Sequence, residues 1–424
     1  MENEDENENK EKQGKNIFIV GNSANAYSFA QKMSALDEVQ HVFVASGNDA
    51  MKEFCTVVDI REDNTQELLE FAVENDIDFT IVTSEKAIKS DISIIFQENH
   101  QMIFAPTFES ALICISKSAG KKFMYKHRIP CPKFAIFDKL SMAIDYAKNS
   151  SMPIVVKTDE HQGCRGSLVC NSFSIAKSCI EDFFESGEKR VIIEDYVLGH
   201  EFSYYVITDG YHVLPLGSVA NYKYALEGDG GLITAGMGAF TPDYKISKQV
   251  ENRILQNIIY PTINSLVRNH TPYVGILGVD CILTPQDEIC AIEFNSFLQA
   301  PDCQSILAVL DGNFYHLIQA CVVGSFADDY QQIDIADNYA ASCVISSGRK
   351  INSIIEGLDD LDEDTQVAHF NTRKNMYLEY ETTGDRTLVL TKTARTLSRA
   401  VENLYEEVSL IKFDGMKYRK DIGK

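Results

Sequence analysis

Between Asn16 and Val82, three short apolar runs are separated by segments of helical period. The runs are NIFIV (Asn16 to Val20), HVFVAS (His41 to Ser46) and DFTIV (Asp78 to Val82), and SFAQKMSAL and TQELLEFAVEND lie between them. A strand apolar on both faces has to be covered on both faces, and parallel strands need a long crossover. The alternation therefore predicts a parallel sheet with helices on each side. A shorter β-like piece, MIFAP (Met102 to Pro106), closes this unit near residue 107. Residues 1–15, MENEDENENKEKQGK, have no apolar period. They predict a disordered, solvating tail and lack the apolar core of a secretory signal.

The chain has 424 residues, more than one ordinary core holds. After residue 107 comes a helical stretch, ALICISKSAGKKFMYKHR, which Ile129-Pro130 stops. PIVVKTDE, SLVC, RVIIEDYV and SYYVITDG then alternate like antiparallel strands. A long helix is expected at about 248–269, followed by the strand pair GILGVDCILT and EICAIEFN with a Pro285-Gln286-Asp287 turn. A last section starts near Ala340 with AASCVISS and continues through the acidic loop EGLDDLDED, TLVLTKT and the helix LSRAVENLYEEVSLI. The formal net charge of −23 argues against a nucleic-acid or anionic-membrane partner, because both need a positive surface. No stretch approaches the roughly 18 apolar residues of a membrane span. The eleven cysteines form no CxxC pair and have no accompanying His cluster, which predicts reduced core thiols in a cytoplasmic protein.

Three pieces carry chemistry. On the strand pair, Glu293 and Asn295 share a face and Asp280 can sit across from either. Two carboxylates and an amide oxygen suit a hard cation such as Mg²⁺, which commonly bridges to substrate phosphates. An ordinary polar strand face would look the same. In PIVVKTDEHQGCRGS, a strand delivers Lys157 and then a loop with Gly163, Arg165 and Gly166. Such glycines let backbone N–H groups approach phosphate oxygens, although Gly-containing hairpins are common and no Walker pattern is present. In RVIIEDYVLGHEFSYYV, a strand ends in Glu194-Asp195, with Tyr196, Val197 and Glu201 following. Strand-end backbone can read an adenine edge and a carboxylate can accept from a ribose hydroxyl; a turn with solvated acids is the alternative.

The order of these pieces resembles the ATP-grasp superfamily and, more narrowly, the glycinamide ribonucleotide synthetases. The likeness runs through IFIVGN, VFVASGN, DFTIVTSE, SKSAGKKFMYKHRIPCP, VIIEDYVLGHEFS, EGDGGLITAGMGAFTP, IEFN and the closing YRKDIG. It implies a multidomain α/β and α+β chain. A Rossmann-like N-terminal domain would span 16–107 and an ATP-grasp domain 108–328, with its small lobe at about 124–195. A small α+β C-terminal domain would span 329–424. It implies ATP-dependent joining of glycine to 5-phosphoribosylamine through a glycyl phosphate, with Mg²⁺ or Mn²⁺, in a cytoplasmic monomer. Lys117 and Lys157 would meet ATP phosphates or the adenine side, Glu194, Tyr196 and Val197 would line the adenine pocket, and Glu201 would meet the ribose. Glu293 and Asn295 would hold the metal, joined by Asp280, which stands where the narrower family usually has glycine but where many other ATP-grasp ligases carry an acidic metal ligand. Gly21, Asn22, Glu85, Glu227, Thr234, Gly236 and Met237 would face the other substrates, with Arg165 and Asp229 taking catalytic roles.

Departures from the family pattern are local. Asn25-Ala26-Tyr27 stands where the family has Arg-Glu-His, Thr83-Ser84 replaces Gly-Pro, and Arg165 replaces a lysine. Phe297 replaces an arginine that would sit beside the transferring phosphoryl group. These losses leave room for a ligase with another acid or amine, or for a nucleotide-binding paralogue with little activity.

Overall fold

The computed structural model describes residues 14–160 and 166–424. The expected tail, apart from Gly14 and Lys15, and Gly163 and Arg165 of the glycine loop lie outside them.

The N-terminal part is the parallel sheet that the apolar runs require. Strands β1 (Lys15–Val20), β2 (Val39–Ala45), β3 (Thr56–Val58), β4 (Phe79–Val82) and β5 (Ile103–Phe104) align in the order β3-β2-β1-β4-β5. Helices α1 (Ala24–Ser34), α2 (Thr65–Glu74), α3 (Glu85–Lys89) and α4 (Ile92–Glu98) connect them. Gly21 ends β1 where a Cβ would lie 2.2 Å from Thr83 Oγ1, so only glycine lets the ends of β1 and β4 approach.

The expected single helix after residue 107 is two, α5 (Phe108–Ile115) and α6 (Lys117–Lys126). Ser116 breaks it by adopting extended backbone, and its side chain caps α6 by accepting from Ala119 N. A four-stranded sheet follows: β6 (Phe134–Phe137), β7 (Ile154–Thr158), β8 (Ser167–Cys170) and β9 (Val191–Asp195), in the order β6-β9-β7-β8. It is backed by α7 (Leu140–Asn149) and α8 (Phe173–Glu185).

The largest sheet has eight strands. β10 (His200–Asp209), β11 (Val213–Leu226), β12 (Gly230–Thr241), β13 (Val274–Leu283) and β14 (Ile289–Asn295) supply five of them. The expected long helix is a rod of α9 (Lys248–Ile254) and α10 (Tyr260–Arg268) with a widened turn at Leu255–Ile259 between them. Pro261 lacks the N–H that a regular turn would use there, which accounts for the widening. Three helices follow, α11 (Asp302–Val309), α12 (Phe314–Val323) and α13 (Phe326–Asp329).

The C-terminal part does not build a sheet apart. β15 (Tyr339–Ser346) pairs with the edge of β12, and β16 (Gln366–His369) and β19 (Arg386–Ala394) extend the sheet further. The order is β14-β13-β10-β11-β12-β15-β19-β16, so the expected boundary at 329 falls across one continuous hydrogen-bonded surface. The pairing also covers an edge that would otherwise template aggregation. β17 (Thr372–Lys374) and β18 (Tyr380–Thr382) form a separate hairpin, and α14 (Leu397–Leu410) packs on the sheet. Among the described residues, no helix is long and apolar enough to cross a membrane, and ten cysteines are free thiols.

Candidate active site

A cleft of about 420 Å³ opens between the four-stranded and eight-stranded sheets. Its first end is lined by Pro132, Val155, Val169, Ile282 and Ile292, with Tyr196 and Val197 at the strand end. Two lysines are buried beside it. Glu194 of β9 lies 3.1 Å from Lys121 and 3.1 Å from Lys157 of β7. Burial lowers the Lys121 pKa; burial also works against the charge of Lys157, but the Glu194 and Glu293 carboxylates outweigh it and raise that pKa. Two ammonium groups sharing one buried carboxylate leave a positive excess, which suits an anionic ligand.

Lys117 reaches the cleft from the first turn of α6 and meets Glu293 Oε2 at 3.0 Å. Asp159, just after β7, sets that turn. Its Oδ1 accepts from Ser118 N and Ser116 Oγ, both at 2.8 Å, and its backbone oxygen accepts from Lys117 N at 3.0 Å. The loop after β7 is thereby tied to α6, so Lys117 and Lys157 are positioned together.

On the facing strands, Asp280 pairs in register with Glu293 and Gly278 with Asn295, one of the two alternatives the sequence allowed. Both Asp280 oxygens are engaged: Oδ1 accepts from Ser203 at 2.5 Å and Asn295 at 3.2 Å, and Oδ2 from Lys223 at 2.7 Å. Lys223 of β11 also bonds Glu201 at 2.7 Å. Burial opposes its charge, yet Asp280, Glu201 and Glu293 raise its pKa well above the usual value. At the far end Asp302, first residue of α11, accepts from Tyr205 Oη at 2.8 Å and Asn221 Nδ2 at 2.7 Å. Gly278 makes this possible, because a Cβ there would lie 2.5 Å from the Tyr205 ring. Desolvation raises the Asp302 carboxyl to about 7.

Three family models match in succession: "Phosphoribosylglycinamide synthetase, N domain" at residues 15–113, its "ATP-grasp (A) domain" at 115–303 and its "C domain" at 336–424. The chain belongs to the phosphoribosylglycinamide synthetase family. It is 31% identical to phosphoribosylamine–glycine ligase of Halalkalibacterium halodurans, covering 96% of each chain. It is 31% identical to that of Listeria innocua, covering 96% of this chain and 99% of the relative. The fold resembles the crystal structure of the Thermotoga maritima phosphoribosylamine–glycine ligase, with TM-score 0.81, 21% identity and coverage of 96% and 99%. It also resembles the biotin carboxylase domain of Hydrogenobacter thermophilus 2-oxoglutarate carboxylase, solved with MgADP and bicarbonate, at TM-score 0.71, 14% identity and coverage of 95% and 91%.

Against the family's expected site, the structure gathers Glu85, Lys117, Lys157, Glu194, Tyr196, Val197, Glu201, Thr234, Gly236, Asp280, Glu293 and Asn295 around the one cleft. Other expected residues lie elsewhere. Asp229 is on the exposed β11–β12 turn, bonded to Arg419 at 3.0 Å, and Glu227 is exposed on the same turn. Met237 points into the core with Leu298, Ala300 and Cys303. Gly21 and Asn22 lie at the end of β1, outside the cleft lining. Arg165 lies outside the described residues.

Sequence reasoning missed Lys121, Lys223, Asn221, Tyr205, Asp302 and Arg386. Lys121 follows Lys117 at helical spacing, a signal that could have been read. Arg386 comes from β19 and donates to Gly236 O at 2.9 Å and Ala300 O at 3.0 Å, stapling β12 to the loop before α11.

ATP-grasp enzymes use ATP with a divalent metal, and the donors present fit one. Glu293 lines the cleft, and Asn295 gives its amide nitrogen to Asp280, which leaves the amide oxygen for a cation. Among the described residues no group of three His, Cys, Asp or Glu side chains forms a cage. Mg²⁺ does not need one, since it keeps waters and substrate phosphates as ligands.

Proposed function

We propose that this chain joins glycine to 5-phosphoribosylamine at the expense of ATP, as the names of its relatives describe, acting as a cytoplasmic monomer. The observation that carries the reading is the convergence of Lys117 and Lys157 with Glu293 and Asn295 in one cleft, with Lys121 buried beside it, in a chain matched by all three family domains.

A carboxylate is a poor electrophile. Transfer of a phosphoryl group to one glycine oxygen supplies a leaving group; the amine then attacks the acyl carbon, the C–O bond breaks and phosphate departs. The chain's own contribution is positioning and charge. Lys121 and Lys157 neutralise the nucleotide phosphates, and Lys117 exchanges Glu293 for a phosphate oxygen. Glu293 and Asn295 would hold Mg²⁺, which when bound neutralises charge on the polyphosphate. Val155, Val169 and Ile292 exclude water from the base, Tyr196 and Val197 present backbone groups to it, and Glu201 accepts from the ribose.

Phe297 supports a second reading, a changed acid or amine substrate. It lines the cleft where the family carries arginine. ADP release with Mg–ATP and glycine, with and without fresh phosphoribosylamine, separates the two. Release requiring both, with product confirmed by mass, is expected. Release with neither, from protein that is stabilised by Mg–ATP, refutes the glycine reading.

A further inference from the structure

Asp302 is 4% exposed and lines the cleft. Tyr205 and Asn221 both donate to Oδ2, and both are neutral. Among the described residues, Oδ1 accepts no hydrogen bond and no cation ion-pairs with the carboxyl. The groups facing it are Tyr205 on β10, Asn221 and Lys223 on β11, and Asp280 on β13. Lys223 spends its charge on Asp280 and Glu201. The first turn of α11 favours an anion at Asp302 but is worth less than a paired cation. A buried carboxylate facing a cleft with neutral partners alone is electrostatically incomplete, and a cationic ligand atom would complete it.

We propose that Asp302, held in place by Tyr205 and Asn221, is the recognition site for the α-ammonium group of an amino-acid substrate. The inference rests on the proposed glycine activity and deepens it. The Asp302 oxygen left over after the two neutral donors takes the ammonium, which directs the substrate carboxylate back along the cleft toward Lys223 and Glu293. The site then selects amino acids over hydroxy acids of the same shape, because a hydroxyl brings no charge to balance the carboxylate.

The test is steady-state ADP release by the full chain at saturating Mg–ATP and phosphoribosylamine. Asp302→Asn keeps the shape and removes the charge. It is expected to raise the glycine KM about 30-fold or more, the effect of removing one partner of a buried charge pair, with a smaller change in kcat and with stabilisation by Mg–ATP retained. For the wild type, glycolate is expected to compete with glycine with an inhibition constant at least about 30-fold above the glycine KM. An unchanged glycine KM in Asp302→Asn overturns the ammonium site alone. If that variant does not fold, the wild-type comparison decides, and glycolate binding as tightly as glycine overturns the site. No glycine-dependent release from wild type that Mg–ATP still stabilises overturns the glycine activity and this site with it.

Discussion

Lys223→Met tests the electrostatics of the cleft directly. The substitution keeps an apolar stem of similar length and removes the cation between Asp280 and Glu201. The side chains are 5% exposed for Asp280, 23% for Lys223 and 41% for Glu201. Removing one partner of a buried pair costs about 3–5 kcal/mol. Solvent reaches the Lys223 side chain, which trims the Asp280 share to about 2–3 kcal/mol, and the exposed Glu201 bond adds about 0–1. The expected loss is about 2–4 kcal/mol, or roughly 2–5 °C in the melting temperature of nucleotide-free protein for a chain of this length. Adding Asp280→Asn should recover half or more, since it deletes the stranded charge while Ser203 and Asn295 can still bond the amide. The Lys223 pKa is raised on folding, so its contribution is present below the unfolded value of about 10.4 and is lost as pH rises through the folded one. The deficit should therefore be constant from about pH 6 to 9. A Lys223→Met protein within about 0.5 kcal/mol of wild type, or a double variant no more stable than the single, would refute the reasoning.

Glu293→Gln should abolish the Mg²⁺-dependent part of the ATP-induced thermal shift and keep the nucleotide part; an unchanged shift removes Glu293 from the metal site. Asp302 has its carboxyl raised to about 7, above the unfolded value of about 3.9, so its contribution to stability falls as pH rises between those values. Asp302→Asn should accordingly melt near wild type at pH 4 and above it at pH 8, read by thermal unfolding at both. Phe297→Arg returns a cation to the cleft and should raise kcat about tenfold or more with glycine and phosphoribosylamine; no gain points to a pocket rebuilt for another substrate.

Much of the site was legible because its residues act through local pattern. Lys157 and Glu194 sit at strand ends, and Glu293 and Asn295 share a face by the alternation of one strand. Lys223, Asn221, Tyr205 and Asp302 were not legible. They stand on β11, β10 and α11, far apart in the chain, and meet only because β10 lies between β11 and β13. The structure sets Asp229 apart from the cleft lining. Its segment matches the family, but the hairpin carries it to the surface, where Arg419 takes it.

What the sequence determined by itself is the kind of element each segment forms and the chemistry each can offer. Apolar period required the parallel sheet at the N-terminus, Pro130 marked the end of a helix, and the ordered motifs pointed to a nucleotide-dependent ligase. Only the tertiary structure decided which charges are paired and which are left for a ligand. It joined β12 to β15, making one sheet from segments that pattern alone divides. It placed Asp280 against a lysine and Asp302 against neutral donors, although both are buried acids. Burial and partner distance set the charge state of a carboxyl, and both depend on neighbours distant in the chain.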